Sequence, residues 1–297
     1  MISIIVPTYG RRDQLQEALK SILSQTYQHF EIIVVDGLGS IQTKELSKSF
    51  KDSRITYLSN KHHASPMSSR YLGVCKSKYE LIAFLDDDDL WSKNKLELQY
   101  SAFSNNHNTD LVLCDYIIND LSTGQQKKIS LEKFKENFNN ILLSPGPFFQ
   151  CILIKKNRIL NKELYDCRAT PSEDWDFFIE LSKKPIVVLN IEKPLFIWNF
   201  SAQSLSANIP KEAAAVDYII QKHSKYIIQK TSLKNLSRLH RKSGHLYIQS
   251  KNYGVAKKKY FKAFLCYAFS FKNLLFFIIS FLCGGFLIKT YLNKNEK

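Results

Sequence analysis

The stretch Leu81–Trp91, with the sequence LIAFLDDDDLW, places four consecutive aspartates directly after a short apolar run. An uncharged run of this length is typical of a buried strand. The aspartates, Asp86 to Asp89, therefore stand where the predicted strand leaves its sheet. Carboxylates this close together raise one another's pKa unless a cation neutralises them. The stretch predicts a divalent metal, Mn²⁺ or Mg²⁺, bound by carboxylate oxygens beside a diphosphate at the carboxyl end of the strand.

The alternative for the same stretch is an acidic turn that caps the following helix. Aspartate is a good N-cap, and acidic side chains stabilise a first helical turn. Residues 93–99 have helical character. The stretch alone leaves both interpretations open, so the rest of the chain has to separate them.

Before this stretch, predicted strands and helices alternate. Apolar, β-rich runs predict strands at residues 2–6, 30–36 and 55–58. Helical spacing or helix-start residues predict helices at residues 13–23, 41–50 and 66–77. The alternation predicts an α/β fold with a mostly parallel sheet and helices on its faces. Because parallel strands end at the same edge, Asp36 should lie near the four aspartates.

The sequence beyond residue 100 is less regular. It predicts strands at residues 110–115, 186–189 and 195–198, a β-like run at 148–154, and a helix around 131–143. Ser172–Asp174 predict the start of another helix. Gln150 lies inside the β-like run, where a buried amide needs hydrogen-bond partners, so it is either a structural contact or a sugar ligand.

Three segments, in this order, resemble the family 2 glycosyltransferases: VPTYGRRDQLQEALKSILSQTYQHFEIIVVDG (6–37), SSRYLGV (68–74) and YELIAFLDDDDLWSKNKLELQ (79–99). The resemblance implies the Rossmann-like GT-A fold, with a mostly parallel sheet and flanking helices, over residues 1–208. It also implies an enzyme that uses a nucleotide-diphosphate sugar as donor.

The resemblance assigns roles on the donor side. The loop after the first strand and the aspartate after the second contact the nucleotide base, which gives Pro7, Thr8, Tyr9 and Asp36. Asp86 and Asp88 match the D-x-D motif that holds the metal against the diphosphate, and Asp87 between them is assigned to substrate binding. Arg70 falls on the arginine of the family's A-R-N-x-G segment, although a helical arginine is more often a solvated surface residue.

On the acceptor side, Glu173 and Asp174 match an E-D segment that opens a helix. An inverting transfer needs a carboxylate that takes the proton from the acceptor hydroxyl, and the resemblance assigns this catalytic role to Asp174. A helix N-terminus is expected to keep the pKa of Asp174 low. Glu173 is assigned to substrate binding, and the resemblance favours Gln150 as a sugar ligand. A plain helix cap is the alternative for Ser172–Asp174.

The chain departs from the family pattern in several places. Residues 36–40 form a D-G-x-S variant, without the second aspartate that often binds uracil, and Tyr71 replaces an asparagine. The four aspartates allow a second D-x-D frame, Asp87 and Asp89. Residues 198–200 stand where the family often carries a basic residue that helps the diphosphate leave.

Composition limits the partners. The 297 residues carry a net charge of +15, from 42 Lys and Arg against 27 Asp and Glu, which indicates an anionic partner. We expect a nucleotide substrate and an anionic membrane surface but no nucleic acid, since the lysines are dispersed and no recognition motif is present. The six cysteines have no CxxC spacing and predict reduced core residues of a cytosolic protein. The N-terminus predicts no signal peptide.

The C-terminal part has a different character. Residues 209–265 predict a helical appendage, with a hairpin at 243–264 that resembles one tetratricopeptide unit. Residues 266–297 predict a hydrophobic and basic tail. Within it, 274–288 is uncharged but shorter than a typical membrane span. We expect this segment to lie in an anionic cytoplasmic leaflet, with a buried core helix and a true span as the alternatives.

Together these features predict an inverting, metal-dependent glycosyltransferase. It would transfer a sugar to a hydroxyl of a glycan or lipid-linked acceptor at the inner face of a bacterial cell membrane, in cell-surface polysaccharide synthesis. The alternatives are a nucleotidyltransferase, for which only Gly10-Arg11-Arg12 suggests a triphosphate loop, and a non-catalytic, basic, membrane-associated scaffold.

Overall fold

The computed structural model describes residues 1–63, 65–201, 204 and 207–282. Contacts divide the chain into two compact units. The first comprises residues 1–167 and the segment that starts at Glu173 and ends just after the last strand. The second comprises residues 168–172 and the C-terminal helices. The domain limits predicted from the sequence stay a prediction.

The N-terminal half of the sheet is parallel, as predicted. Its strands are β1 (Ile2–Thr8), β2 (Phe30–Asp36), β3 (Ile55–Ser59) and β4 (Leu81–Phe84), in the order β3-β2-β1-β4. Every residue of β1 and β2 is buried. This burial explains their continuous apolar runs, because helices cover both faces of such a sheet.

The other half of the sheet is mixed. Its strands are β5 (Leu90–Trp91), β6 (Leu111–Asp120), β7 (Gln126–Ile129), β8 (Leu153–Lys155) and β9 (Val188–Phe200). β8 is antiparallel to both β4 and β6, while β6 and β9 are parallel. β5 pairs with β9, so the chain that leaves β4 through the aspartates is anchored on the far side of the sheet.

Six helices accompany this sheet in the described part of the first unit: α1 (Arg12–Leu23), α2 (Ile41–Ser49), α3 (Pro66–Lys76), α4 (Lys95–Asn105), α5 (Glu132–Glu136) and α6 (Glu173–Leu181). Helix α3 begins with a capping box formed by Ser65 and Ser68, with Pro66 in its first turn. It packs closely on β1, since a Cβ at Gly73 would lie 2.5 Å from Ile5 Cγ2.

Three predicted elements differ from the structure. The helix expected at 131–143 ends after α5, because Asn137 is extended and its side chain accepts from the Asn139 N–H, and a 3₁₀ turn follows. The β-like run at 148–154 is a 3₁₀ turn, Phe149–Cys151, followed by β8. The two late strands are a single β9, whose register against β6 shifts around Asp115.

The cysteine prediction is partly wrong. Among the described residues Cys114 and Cys151 are buried, but Cys75 and Cys167 are exposed. All the described cysteines are free thiols. Cys283 lies outside the described residues.

The second unit contains α7 (Ile209–Lys230), α8 (Leu233–Gln249), α9 (Tyr253–Cys266) and α10 (Phe271–Leu282). Tyr260 of α9 packs against Gly244 of α8 and stacks on Phe276 of α10, with ring centroids 5.5 Å apart. Within the described residues, no helix is long and apolar enough to cross a membrane. Of the predicted 274–288 segment, residues 283–288 lie outside the described chain.

Candidate active site

The four aspartates form a loop between β4 and β5, at the carboxyl ends of the parallel strands. Helix α4 begins only at Lys95, and Asn94 is its N-cap residue. The interpretation of the aspartates as a helix cap is therefore wrong. We call residues 86–89 the acidic loop.

The acidic loop alternates between accessible and buried carboxylates. The side chains of Asp86 and Asp88 are 26% and 33% exposed, whereas that of Asp87 is 6% exposed. Asp89 is buried as well. The four residues form a turn, in which the Asp89 N–H donates to the Asp86 carbonyl at 3.3 Å. Only Asp86 and Asp88 therefore have carboxylates that a ligand can readily reach.

The buried carboxylates are held by neighbouring strands. Asp87 Oδ2 accepts a hydrogen bond of 2.7 Å from Thr8 Oγ1, at the end of β1. Asp89 accepts from the Asn199 N–H of β9 and from Gln150 Nε2, both at 3.0 Å. Burial raises the pKa of Asp87 to about 6, although the hydrogen bond from Thr8 opposes the rise. Burial also raises the pKa of Asp89 well above its usual range.

Arg70 is the buried cation of the site. Its Nη2 lies 2.7 Å and 2.9 Å from the two carboxylate oxygens of Asp86, and its Nη1 lies 3.7 Å from Glu173 Oε1. The guanidinium also packs over the Phe149 ring, 4.3 Å from its centroid. Only 3% of the Arg70 side chain is exposed. The alternative of a solvated surface residue is therefore wrong, while the substrate-binding role of Arg70 stays a prediction.

Gln150 links two members of the acidic loop. Its Nε2 donates to Asp86 Oδ2 at 2.6 Å as well as to Asp89. Its Oε1 is buried and has no hydrogen-bond partner within the described part of the chain. An unpaired buried acceptor is uncommon in a folded protein, so this oxygen is available to a ligand hydroxyl or to water.

Asp174 lies in the first turn of α6, and its Oδ1 accepts a hydrogen bond of 2.8 Å from the Phe149 N–H. Burial raises the pKa of Asp174 to about 7; Arg70 opposes the rise, and Glu173 and Asp86 add to it. The low pKa expected from the helix N-terminus is therefore wrong, because desolvation outweighs the helix dipole here. Phe149 contacts both Asp174 and Arg70, and Arg70 contacts Asp86. Asp174 and the acidic loop therefore lie on the same side of the site.

The residues predicted to contact the nucleotide base lie on two neighbouring strands, except Tyr9, which follows β1. Thr8 and Asp36 are register partners in β1 and β2. Asp36 is fully buried, and its oxygens accept from the Leu38 and Ser40 N–H groups, each at 2.8 Å, and from the Tyr57 hydroxyl at 3.2 Å. These bonds order residues 37–40. The base-binding role of Asp36 stays a prediction.

The other two residues of this set differ in access. Pro7 is buried inside β1, whereas Tyr9 at its end is 60% exposed. Of the predicted base contacts, Tyr9 is thus the side chain most open to a ligand.

Two residues of the site were not predicted as such. Arg11 contacts both Asp87 and Asp88. Asn199 donates from its side chain to the Asp88 carbonyl at 3.0 Å and from its backbone to Asp89. A basic residue after Gly10 was visible in the sequence, but no local pattern connects Asn199 with a loop 110 residues earlier.

The donor set fits a metal that shares its ligands with a substrate. No group of three or more His, Cys, Asp or Glu residues within the described chain is arranged to hold a metal by itself. Asp86 and Asp88 nevertheless offer two accessible carboxylates. Mg²⁺ and similar ions are commonly bound by one or two carboxylates together with substrate phosphates and water. These two residues would hold the ion, which would neutralise phosphate charge.

A parallel half-sheet with an acidic loop at its carboxyl edge is the arrangement in which open α/β sheets bind ligands, and the GT-A fold has it. Residues 3–167, more than half of the chain, match the sequence model of Glycosyl transferase family 2, so the chain belongs to this family. It is a glycosyltransferase. This membership supports glycosyl transfer over the nucleotidyltransferase and the non-catalytic scaffold.

Relatives agree with this assignment. The Escherichia coli UDP-Glc:alpha-D-GlcNAc-diphosphoundecaprenol beta-1,3-glucosyltransferase WfgD is 28% identical over 216 residues, 71% of this chain and 82% of that protein. An uncharacterised glycosyltransferase of Rickettsia bellii is 41% identical, but the match covers 36% of this chain and only 15% of that protein.

Solved structures share the fold. Staphylococcus aureus TarS 1-349 in complex with UDP-GlcNAc aligns with a TM-score of 0.62 and 16% identity, over 90% of this chain and 89% of that chain. The mannosyltransferase PcManGT of Pyrobaculum calidifontis, in complex with GDP-Man and Mn²⁺, aligns with a TM-score of 0.60 and 13% identity, over 99% and 87%.

Proposed function

We propose that this glycosyltransferase is inverting and metal-dependent, and that it moves a sugar from a nucleotide-diphosphate donor to a hydroxyl of a glycan or lipid-linked acceptor. The observation that carries the proposal is the convergence of one buried arginine and three carboxylates. Arg70 contacts Asp86 directly and lies within 3.7 Å of Glu173. It is also close enough to Asp174 to alter its pKa.

The donor diphosphate is assigned to the accessible members of the acidic loop. Their exposure supports Asp86 and Asp88 as the D-x-D pair rather than Asp87 and Asp89, which are buried. A metal bound there would neutralise the diphosphate as it leaves. The solved structure of PcManGT with GDP-Man and Mn²⁺ supports both the donor class and the metal.

The acceptor hydroxyl is assigned to Asp174. In an inverting displacement the acceptor oxygen attacks the anomeric carbon, its proton passes to a carboxylate, and the nucleoside diphosphate leaves from the opposite side. A general base works best when its pKa lies near the working pH. Burial raises the pKa of Asp174 to about 7, which suits this role.

The nucleotide base and the sugar are assigned to the flanks of the acidic loop. Tyr9 and Asp36 are the proposed base contacts, with Pro7 and Thr8 supporting the loop. Gln150 is the proposed sugar ligand because its buried Oε1 lacks a partner within the described residues.

The acceptor is proposed to be membrane-bound and the enzyme to act at the cytoplasmic face, in polysaccharide synthesis. WfgD, as its name states, acts on a diphosphoundecaprenol-linked sugar. Within the second unit, exposed apolar side chains lie on and between α9 and α10: Phe261, Leu265, Phe269, Phe271, Leu274 and Ile278. Lys258, Lys262 and Lys272 are exposed among them. We call these nine residues the apolar-basic face, and it suits an anionic lipid surface.

A thermal-shift panel tests the proposal. Wild type and Asp88→Asn would be heated with nucleoside diphosphates and their sugars, with and without Mn²⁺. A donor at 100 times its Kd adds about 2.7 kcal/mol of stability. We expect a metal-dependent shift that Asp88→Asn abolishes and that Asp13→Asn, at a 91% exposed side chain, retains. Folded wild type that responds to no nucleotide contradicts the proposal.

A further inference from the structure

Arg11 occupies the accessible side of the acidic loop. Its Nη1 lies 3.2 Å from Asp87 Oδ1 and is also hydrogen-bonded to Asp88 Oδ2. Arg11 follows Gly10, whose φ of +70° is a conformation that favours glycine, and it precedes the first residue of α1. Arg11 thus lies between the Gly10 turn and the start of α1, and its guanidinium contacts Asp88, which is proposed to bind the metal.

The two arginines of the site are held in different ways. Arg70 is buried, packs on Phe149 and contacts carboxylates on two elements. The Arg11 side chain is 36% exposed. Among the described residues, the hydrogen bonds and ion pairs of its guanidinium go to Asp87 and Asp88 alone. Arg70 is therefore fixed by buried contacts, whereas the partly exposed Arg11 side chain is held, within the described chain, only by the acidic loop. If Arg11 leaves, the buried Asp87 keeps its hydrogen bond from Thr8.

A metal ion on Asp88 would place a second cation beside the Arg11 guanidinium, which already contacts Asp88 Oδ2. At that separation the two cations would repel strongly, and this repulsion favours the release of Arg11. The released guanidinium would lie beside the diphosphate that the metal brings to the loop. Arginine binds phosphate oxygens through two parallel hydrogen bonds, which is stronger than a point-charge contact.

We propose that Arg11 is a diphosphate-binding residue that neutralises Asp88 in the donor-free enzyme and moves to the donor diphosphate when the metal binds Asp88. This inference rests on the proposed function. It supplies a cation for the leaving group, which residues 198–200 do not contain. It also makes metal and donor binding cooperative, because the metal alone must displace Arg11 whereas the diphosphate offers Arg11 a new partner.

Direct binding measurements on the full chain test this role. Free Mn²⁺ would be followed by electron paramagnetic resonance during titration, without nucleotide and then with UDP or GDP. Arg11→Gln should bind Mn²⁺ alone about tenfold more tightly than wild type, since the competing cation is gone. With Mn²⁺ saturating, the same variant should bind the nucleoside diphosphate about tenfold more weakly.

The controls separate this inference from the proposed function. Arg12→Gln removes a neighbouring arginine whose side chain is 58% exposed and should behave as wild type. Asp88→Asn should lose Mn²⁺ binding. If Arg11→Gln binds Mn²⁺ no more tightly than wild type, or binds the nucleotide equally well, the role of Arg11 is wrong while the proposed function stands. Wild type that binds neither Mn²⁺ nor nucleotide contradicts both.

Discussion

Arg70 donates from one guanidinium nitrogen to both carboxylate oxygens of Asp86, at 2.7 Å and 2.9 Å. This pair joins α3 to the acidic loop across the carboxyl edge of the sheet. The arginine is buried, and the carboxylate is about one quarter exposed. Arg70 thus holds the Asp86 carboxylate in place, while part of that carboxylate remains accessible to a ligand.

Arg70→Met should destabilise the protein. Breaking a buried ion pair by removing one partner costs about 3–5 kcal/mol. Because Asp86 is partly exposed, we expect the free energy of unfolding to fall by about 3 kcal/mol. Urea unfolding measures it. Arg12→Met, at an exposed side chain, should change stability by less than about 0.5 kcal/mol. A combined Arg70→Met and Asp86→Asn variant should lose less than the single variants together. Additive losses would show that the pair is not coupled.

Asp174→Asn should alter the pH dependence of stability. The folded carboxyl has a pKa of about 7 and the unfolded one 3.8, so the folded state binds the proton more tightly. The stability that this group contributes is complete below the unfolded value and is lost as pH rises through about 7. Asparagine does not titrate, and its oxygen can still accept from the Phe149 N–H. The variant should therefore gain stability relative to wild type at pH 8 and lose that gain towards pH 4.

The gain at pH 8 should stay below about 4 kcal/mol, since each pKa unit corresponds to about 1.4 kcal/mol. Asp174 is also not fully buried, and its remaining exposure reduces the effect. Thermal unfolding across this pH range measures it, with Asp13→Asn as the exposed control. A gain that is the same at both ends of the range would contradict the raised pKa of Asp174.

Gly73→Ala should loosen α3 from the sheet. The added Cβ would lie 2.5 Å from Ile5 Cγ2 inside a close contact between helix and strand. Overpacking of this kind costs about 1–3 kcal/mol. Gly254→Ala is the matched control, because a Cβ there meets nothing within 4 Å. Ile5→Ala should reduce the additional cost of Gly73→Ala. Equal stability of the two glycine variants would contradict the close packing of α3 on β1.

The apolar-basic face predicts binding to anionic lipid. Replacing Phe269 and Phe271, which are 94% and 75% exposed, by serine should reduce sedimentation with phosphatidylglycerol vesicles severalfold, since about 0.8 kcal/mol is lost for each methylene-sized group that no longer inserts. Leu121→Ser, at another exposed apolar side chain, should have no effect. Binding that is unchanged in the double variant would show that this face does not contact the membrane.

The fold of the first unit was predictable because its signals are local. β1 to β4 are short, continuous apolar runs with helical segments between them, and parallel strands bring their ends to one edge by geometry. The position of Asp36 and the acidic loop at that edge followed directly. The course of β9 did not, because a bulge beside Asp115 depends on pairing with a strand far away in sequence.

The sequence predicted most residues of the site but not their pKa values or all of their contacts. The motifs gave Arg70, the aspartates and Asp174, yet no local pattern indicates that Asn199 fixes the acidic loop from another strand. The pKa of Asp174 was expected to be low, because its position at a helix start is visible in the sequence. The burial that raises this pKa arises only in the folded chain, where it outweighs the opposing effects of Arg70 and of the Phe149 N–H.

The role of Asp174 as general base is decided by measuring donor binding and transfer separately in Asp174→Asn. Donor affinity would be determined by calorimetry with Mn²⁺, and turnover by release of nucleoside diphosphate in the presence of an acceptor. We expect donor affinity within about twofold of wild type and turnover reduced by about 100-fold or more, because a general base is lost. Turnover equal to that of wild type, in a variant that binds the donor normally, would show that Asp174 does not activate the acceptor.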